Sequence, residues 1–298
     1  MTFRIFKSSR PLLLCTFAAL VFSSPASLGA EAATAIPAIL SKPSNQVIPG
    51  KMVWADLLTR DVTTAGRFYA AVLGWQLVPS EDPGYVTAYI DGQPVAALAT
   101  YTETAPEDAA LWLPSFSVRD VDAAVLRALD QGAEELANAD DLPNRGRLAV
   151  LQDPQGAAFS VLRASSGDPI DGGKPLAGAW IWPELWSSDQ QNATDFYRHA
   201  LELESVNFTD ESGTKHQVLG LNNIGRSTVI VAPLDNVKPS WLLYLLVDRM
   251  EPTLALVRQH GGKVLLNTRK GELNHRIAII ADPTGGVLAL QEMKGVQQ

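Results

Sequence analysis

The chain contains very little cysteine and histidine. Among its 298 residues there is one cysteine, Cys15, and there are four histidines, at positions 199, 216, 260 and 275. Cys15 lies in an N-terminal apolar run, so the rest of the chain can form no internal disulfide and offers no thiolate as a nucleophile or metal ligand. No histidine precedes His199, so the first half of the chain also has no imidazole for metal binding or acid–base catalysis.

The sequence motifs of several large enzyme classes are also missing. The chain has no Gly-x-Ser-x-Gly turn, no Walker loop, no Gly-x-Gly-x-x-Gly after a strand and no His-Glu-x-x-His. Serine hydrolase, nucleotide-binding and zincin functions therefore have no support. Basic residues number 24 against 32 acidic residues, which gives a formal charge of -8. This balance argues against partners such as nucleic acid or an anionic membrane and favours neutral or cationic small molecules.

The first thirty residues have the features of an export signal. Basic residues precede an apolar run from Pro11 to Phe22, and small residues follow as far as Ala30. The run is shorter than the roughly 20 residues that span a bilayer, so we predict a signal peptide at 1–30 and no retained membrane anchor. Residues 31–50 show neither a helical nor an alternating period and are predicted to be a flexible lead-in. The expected location of the mature protein is periplasmic or secreted.

The rest of the chain contains an internal repeat with an offset of about 128 residues. Trp54-Ala55-Asp56-Leu57 recurs as Trp182-Pro183-Glu184-Leu185, and Phe68-Tyr69 recurs as Phe196-Tyr197. Each copy has the length of a domain, which predicts two compact domains in tandem. We place domain 1 at 51–164, a linker rich in Gly and Asp at 165–175, and domain 2 at 176–294.

Each copy is predicted to contain a strand, a helix and three strands, in that order and twice over. The first copy opens with an apolar strand from Met52 to Leu58, and a helix follows with Asp61 as its N-cap and Gly74 at its C-terminal end. Asp189 occupies the corresponding N-cap position in the second copy. This order predicts the α+β fold class.

A set of short motifs accompanies this order in both copies. The first copy carries Leu57, Asp61, Phe68-Tyr69, Leu73-Gly74-Trp75 and Asp153-Pro154-Gln155-Gly156. The second carries Leu185, Asp189, Phe196-Tyr197, Leu201 and Asp282-Pro283-Thr284-Gly285, with Leu201-Glu202-Leu203 in place of the usual Leu-Gly-aromatic. Ordered and duplicated in this way, the motifs resemble the vicinal oxygen chelate superfamily, which includes glyoxalase I, extradiol dioxygenases and bleomycin-resistance proteins. The resemblance implies tandem glyoxalase-like domains, each of two paired βαβββ units curled around a cleft.

The resemblance also implies a divalent metal in the cleft, held by His, Glu or Gln, but this chain departs from that pattern. The aligned positions are Trp54, Leu113 and Ser160 in the first copy and Trp182, Leu242 and Ala289 in the second. None of these is an imidazole or anionic ligand. We therefore predict no metal and no other cofactor. A site built from His216, His275 and a carboxylate remains an alternative.

Tryptophan occupies the same opening-strand position in both copies, beside an acidic residue. Strand alternation places Trp54 and Asp56 on one face of the first strand, and Trp182, Glu184 and Trp186 on the equivalent face of the other. A ring beside a carboxylate can hold a cationic or hydrogen-bond-donating organic molecule, so these five residues are the predicted ligand-binding residues. Catalytic residues are unknown, with Asp56 and Glu184 as candidates for a metal-free general base.

Three functional hypotheses remain open at this point. The first is binding of a small organic molecule in the clefts. The second is an enzyme, either a glyoxalase-like lyase or extradiol-dioxygenase-like enzyme with atypical metal ligands, or a metal-free carboxylate catalyst. The third is a structural or partner-binding module in which the tryptophans fill the clefts. Arg147 and Arg276 could pair with Asp56 and Glu184, bind an anionic ligand or lie on the surface. The sequence does not determine the oligomeric state.

Overall fold

The computed structural model describes residues 36–80, 84–101, 110–209, 215–232, 237–268 and 276–292. They form two eight-stranded sheets, one from each sequence copy. The elements of domain 1 are β1 Met52–Thr59, α1 Val62–Leu73, β2 Gln76–Pro79, β3 Tyr85–Ile90, β4 Gln93–Thr100, β5 Leu111–Ser117, α2 Val121–Asp130, β6 Glu134–Leu142, β7 Gly146–Gln152 and β8 Ala158–Ala164. The elements of domain 2 are β9 Trp180–Ser187, α3 Gln190–Ala200, β10 Glu204–Thr209, β11 Lys215–Leu221, β12 Ile224–Val231, β13 Ser240–Val247, α4 Met250–Gln259, β14 Lys263–Asn267, β15 Ile277–Ala281 and β16 Val287–Glu292. The predicted order of elements and the α+β fold class are confirmed.

Each sheet is assembled from two βαβββ units that meet at its centre. The strand order is β2-β3-β4-β1-β5-β8-β7-β6 in domain 1 and β10-β11-β12-β9-β13-β16-β15-β14 in domain 2. The opening strands of the two units, β1 and β5, pair antiparallel, and each pairs in parallel with the closing strand of its own unit. The helices lie against one face of each sheet. We call the opposite face, which carries Trp54 or Trp182, the cleft face.

The ends of the first helix in each copy follow the predicted local signals. Asp61 Oδ1 accepts a bond from the Thr64 backbone N–H at 2.9 Å, and Asp189 does the same for Asn192 at 3.1 Å. Gly74 ends the first helix with φ 71°, a left-handed conformation that glycine adopts without steric cost. Glu202 has φ 54° in the equivalent turn of domain 2, so a non-glycine residue adopts the strained conformation there.

The helix-covered faces of the two domains share one apolar core. In it, α1 lies next to α4, and α2 lies next to α3. Phe116 and Trp241 contact each other across the boundary with ring centroids 4.7 Å apart, and Trp112 and Trp180 do so at 5.0 Å. Trp112 and Trp241 are both buried in this core.

A buried hydrogen-bonded relay runs from domain 1 into domain 2. The Trp112 indole N–H donates to the Tyr69 hydroxyl at 2.9 Å, and that hydroxyl donates to Asp282 Oδ2 at 2.7 Å. Burial, together with the Asp282 charge, raises the pKa of Tyr69 well above its ordinary value, so this hydroxyl stays protonated as a donor. The relay joins a tyrosine of one sequence copy to an Asp-Pro turn of the other.

The equivalent relay runs in the opposite direction. The Trp241 indole donates to Tyr197 at 3.1 Å, and the Tyr197 hydroxyl donates to Asp153 Oδ2 at 3.0 Å. The remaining oxygen of each aspartate accepts backbone N–H groups of its own turn, from residues 155 and 157 for Asp153 and from residues 284 and 286 for Asp282. The two Asp-Pro motifs therefore form turns and also supply the acceptors that connect the domains.

The linker is fixed to both domains through Asp171. Its carboxylate accepts two bonds from Arg226 of β12, each of 2.9 Å, and a third from Lys51 at 2.9 Å. These cationic partners, Arg226 first, lower the pKa of Asp171 to about 2.

None of the helices in the described ranges has the length and apolar character that a membrane crossing requires.

Candidate functional site

The predicted site residues of domain 1 lie together on its cleft face. The Trp54 indole N–H donates to Asp56 Oδ1 at 2.9 Å. The guanidinium carbon of Arg145 lies 3.9 Å from the centroid of the Trp54 ring, and Arg145 Nη2 donates to the Tyr85 hydroxyl at 2.9 Å. Because Arg145 covers one side of the ring, only 1% of the Trp54 surface is exposed.

Residues 36–48 also cover this cleft; we call this segment the strap. The sequence predicted residues 31–50 as a flexible lead-in, and its described part lies against domain 1. Ile39, of which 2% is exposed, packs with Trp54 and with Leu162 on the cleft face. Trp54 is therefore enclosed between the sheet, Arg145 and the strap.

Burial raises the pKa of the Asp56 carboxyl above its ordinary value of 3.8, and the Arg145 charge and the Trp54 hydrogen bond offset part of that rise. Asp56 as a whole residue nevertheless keeps some accessible surface. A raised pKa means that the folded protein holds the Asp56 proton more tightly than the unfolded chain does. The stability contributed by this proton is full below about pH 4 and is lost as the pH rises through the folded-state pKa.

We expect the Asp56→Asn variant to lack this pH dependence. Between pH 4 and pH 7 the wild-type chain should lose free energy of unfolding relative to the variant, because only the wild type must bury a new charge. Urea unfolding at several pH values measures the difference. In the opposite result, the wild-type chain would gain free energy of unfolding relative to the variant as the pH rises. That result would show that Arg145 stabilises the ionised carboxylate more than burial destabilises it.

The cleft face of domain 2 holds a different network around Glu184. Trp186 and Tyr244 each donate to Glu184 Oε1 at 3.0 Å, and Thr228 donates to Oε2 at 3.2 Å. The Trp182 indole donates to the Thr228 hydroxyl at 3.1 Å. All donors to the carboxylate among the described residues are neutral, and burial and the Glu184 charge raise the pKa of Tyr244, which keeps its hydroxyl protonated. The network orients the carboxylate through neutral hydrogen bonds.

The two clefts also differ in accessibility. Trp182, Glu184 and Tyr244 are each partly exposed. Trp186 is buried against Leu242 and belongs to the apolar cluster on this face. Trp182 thus keeps some accessible surface, whereas Arg145 and the strap enclose Trp54.

The positions that carry metal ligands in the resembled superfamily do not fit a metal in domain 1. Trp54 uses its only polar atom to bond Asp56. Leu113 belongs to an apolar cluster, and Ser160 is buried with its hydroxyl 2.6 Å from that of Ser115. Neutral hydroxyls and an indole N–H are poor ligands for a divalent transition metal.

The equivalent positions in domain 2 do not fit a metal either. Leu242 and Ala289 are buried in the apolar cluster of the cleft face. Within the part of the chain that the structure describes, no three His, Cys, Asp or Glu residues come close enough to hold a metal ion. The alternative site from His216 and His275 lies outside the described side chains.

The hypothesis that Arg147 and Arg276 pair with the cleft carboxylates is wrong. Arg147 pairs with Asp122 and Asp141, and Arg276 pairs with Glu251, all exposed acids near helices α2 and α4 or on β6. The cation near Asp56 is Arg145, two residues before Arg147.

Four polar residues of the clefts were not identified from the sequence: Tyr85, Arg145, Thr228 and Tyr244. For Arg145 the sequence contains a local signal, the turn Asn144-Arg145-Gly146. In the structure φ is 62° at Asn144 and 113° at Gly146. A Cβ at position 146 would lie 2.1 Å from the Arg163 carbonyl oxygen, so glycine is required there. Tyr85, Thr228 and Tyr244 carry no such signal, because strand pairing alone brings them to the site.

Taken together, the two sheets and their clefts define a protein with the tandem glyoxalase-like fold. Residues 52–162 match the family model described as Glyoxalase-like domain. The chain is 29% identical over 245 residues to the Mycobacterium tuberculosis protein named "Putative glyoxylase CFP32", covering 80% of this chain and 92% of that protein. It is also 29% identical over 267 residues to "Anthracycline biosynthesis protein DnrV" of Streptomyces peucetius, covering 83% of this chain and 94% of that protein.

Solved structures share this fold at low sequence identity. The Mn(II)-bound glyoxalase from Novosphingobium aromaticivorans aligns with a TM-score of 0.58 and 16% identity, over 83% of each chain. A catechol 2,3-dioxygenase aligns with a TM-score of 0.55 and 18% identity, over 84% of this chain and 96% of that one. These similarities establish the tandem architecture. They assign no function, so the function is inferred from the residues of the clefts.

Proposed function

We propose that this chain is an exported member of the vicinal oxygen chelate superfamily that binds a small organic cation in the cleft of domain 2 without a metal. The observation that carries the proposal is the Glu184 carboxylate, held by three neutral donors beside the partly exposed ring of Trp182. Such a carboxylate is oriented before any ligand arrives, and its charge is left for a partner.

The chemistry of the second cleft favours an amine on an aromatic or apolar body. An ammonium group can lie near the Glu184 oxygens and over the face of Trp182, where charge and the ring quadrupole both attract it. The buried apolar residues around Trp186 favour an apolar remainder of the ligand. The relative named for anthracycline biosynthesis is consistent with an aromatic ligand.

Domain 2 is favoured over domain 1 because of accessibility. Trp54 is enclosed by Arg145 and the strap, and the positive charge of Arg145 already faces Asp56. A cationic ligand in the first cleft would be repelled by the charge of Arg145. The described donors to Glu184 in the second cleft include no such charge.

The proposal is tested with a pair of probes that differ in charge. Tryptamine carries an ammonium group and 3-ethylindole, a close match in shape, does not. We expect the wild-type mature chain to bind tryptamine at least tenfold more tightly, and Glu184→Gln to abolish this preference, because the charge attraction is lost while the shape is kept. Isothermal titration calorimetry measures both affinities.

Glu251→Gln serves as the control for loss of one negative charge, since Glu251 lies exposed on α4 in the same domain and pairs with Arg276. It should retain the preference for tryptamine. Equal affinity of the wild-type chain for the two probes, or a preference that survives in Glu184→Gln, would refute cation binding at this carboxylate.

A further inference from the structure

The strap lies in the first cleft as a bound peptide would in a groove. It has neither helix nor strand, and its apolar anchor, Ile39, is buried against residues from β1, β4 and β8. Leu40 is partly buried beside it. A branched aliphatic side chain in an apolar pocket, combined with main-chain hydrogen bonds farther along the segment, is a combination that peptide-recognition sites use.

Hydrogen bonds hold the strap on the C-terminal side of this anchor. The Ser41 hydroxyl donates to the Gly92 carbonyl at 2.9 Å. The Ser44 backbone N–H donates to the Ser166 carbonyl at 2.9 Å, and the Asp168 N–H donates to the Gln46 carbonyl at 2.9 Å. Most of these bonds use main-chain atoms, so they recognise the backbone of the segment rather than a particular sequence.

Asp168 is the polar anchor at the far end of the strap. It is fully buried, and its Oδ2 accepts bonds of 2.5 Å from the Ile48 N–H and from the Ser117 hydroxyl. The strap therefore ends on a residue of the linker, which links the first cleft to the segment between the domains.

Gly167 allows the strap to pass over the linker. A Cβ at this position would lie 2.5 Å from the Ser44 hydroxyl oxygen, 2.7 Å from the Asn45 nitrogen and 2.8 Å from the Gln46 nitrogen. Two of these three atoms are backbone, so the strap itself would have to move to make room. Residue 167 thus controls access of the strap to its site without touching the cleft.

We propose that the cleft of domain 1 is a peptide-binding site, which the chain's own strap occupies in this structure. The site accepts an external segment with a branched aliphatic side chain when the strap leaves. The covalent connection gives the strap a high effective concentration, so an external peptide competes poorly until the strap is displaced. This inference concerns domain 1 and is independent of cation binding in domain 2.

The test adds one methyl group at position 167 to displace the strap, and then supplies the anchor segment of the strap as a separate peptide. Gly167→Ala is made in the full mature chain, with Gly172→Ala as the matched control. Gly172 has φ 90° against 75° for Gly167, lies in the same linker, and has no atom of a described residue within 4 Å of its Cβ position. Both substitutions place a side chain in the left-handed region, and only one of them meets the strap.

Two measurements follow on these variants. Hydrogen exchange of residues 38–48 should accelerate at least tenfold in Gly167→Ala and stay close to wild type in Gly172→Ala. The acetylated peptide of residues 36–41, which lacks the atoms that the added methyl group would meet, should bind Gly167→Ala at least tenfold more tightly than it binds the wild type. The same peptide with Asp in place of Ile39 should not bind. A dye on the peptide reports binding by fluorescence anisotropy.

The variant Ile39→Gly provides a second route if Gly167→Ala does not fold. It removes the anchor of the strap and leaves the linker intact, so the same peptide should again bind more tightly than to the wild type. The proposal is overturned if the strap of a folded variant remains as protected as in the wild type. It is equally overturned if the peptide binds the variants no more tightly than the wild type.

Discussion

The Tyr69→Phe variant should lose about 3 kcal/mol of unfolding free energy, although the substitution removes a single oxygen atom. The Tyr69 hydroxyl accepts from Trp112 and donates to the buried Asp282 carboxylate. Its loss leaves the indole N–H without an acceptor and one carboxylate oxygen without its donor, both away from water. Urea unfolding of the two proteins at pH 7 measures the change.

Tyr89→Phe is the control, because Tyr89 is a partly exposed residue of β3 outside the shared core. It should change the unfolding free energy by roughly 0.5 kcal/mol or less. Tyr197→Phe, which removes the equivalent donor to Asp153, should match Tyr69→Phe. A loss in Tyr69→Phe no larger than that of the control would mean that water replaces the missing hydroxyl and that the relay adds little to stability.

The Trp54→Ala variant should lose about 3–5 kcal/mol of unfolding free energy, the usual cost of deleting a fully buried aromatic side chain. The deleted ring lies between Arg145 and Ile39, so the guanidinium also loses the face on which it stacks. Trp182→Ala should lose about 1–2 kcal/mol, because its ring is partly exposed and less contact is removed. Thermal and urea unfolding of both variants provide the comparison.

This pair separates two roles for equivalent residues. A large stability loss for Trp54 and a small one for Trp182, accompanied by loss of tryptamine binding only in the latter, fits a closed first cleft and an open second one. Equal losses in both variants would contradict that difference, since they would mean that both rings fill their clefts to the same extent.

The architecture could be predicted from the sequence because its signals are local and occur twice. Asp61 and Asp189 cap helices through side-chain bonds to residues three positions later, and strand alternation placed Trp54 and Asp56 on one face. Such signals depend on neighbours within a few positions of the chain, so the pattern of residues is sufficient to specify them.

The contents of the clefts could not be predicted in the same way. Tyr85 meets Arg145 across 60 residues, and Ile39 reaches its pocket only because Gly167 lets the strap pass. The composition of the strap, which lacks a helical or alternating period, predicts a flexible segment whether or not a groove receives it. Contacts of this kind depend on the assembled sheet, and a single sequence does not encode their partners locally.

The crossed relays also have a consequence for how the two clefts came to differ. Each copy supplies both a donor tyrosine and an acceptor aspartate, Tyr69 with Asp153 and Tyr197 with Asp282. One copy therefore carries a self-complementary surface, the arrangement found in a twofold homodimer. In a homodimer every substitution appears in both clefts at once. Joined in one chain, the copies can keep the shared surface constant while one cleft gains an arginine and a strap and the other keeps an open carboxylate.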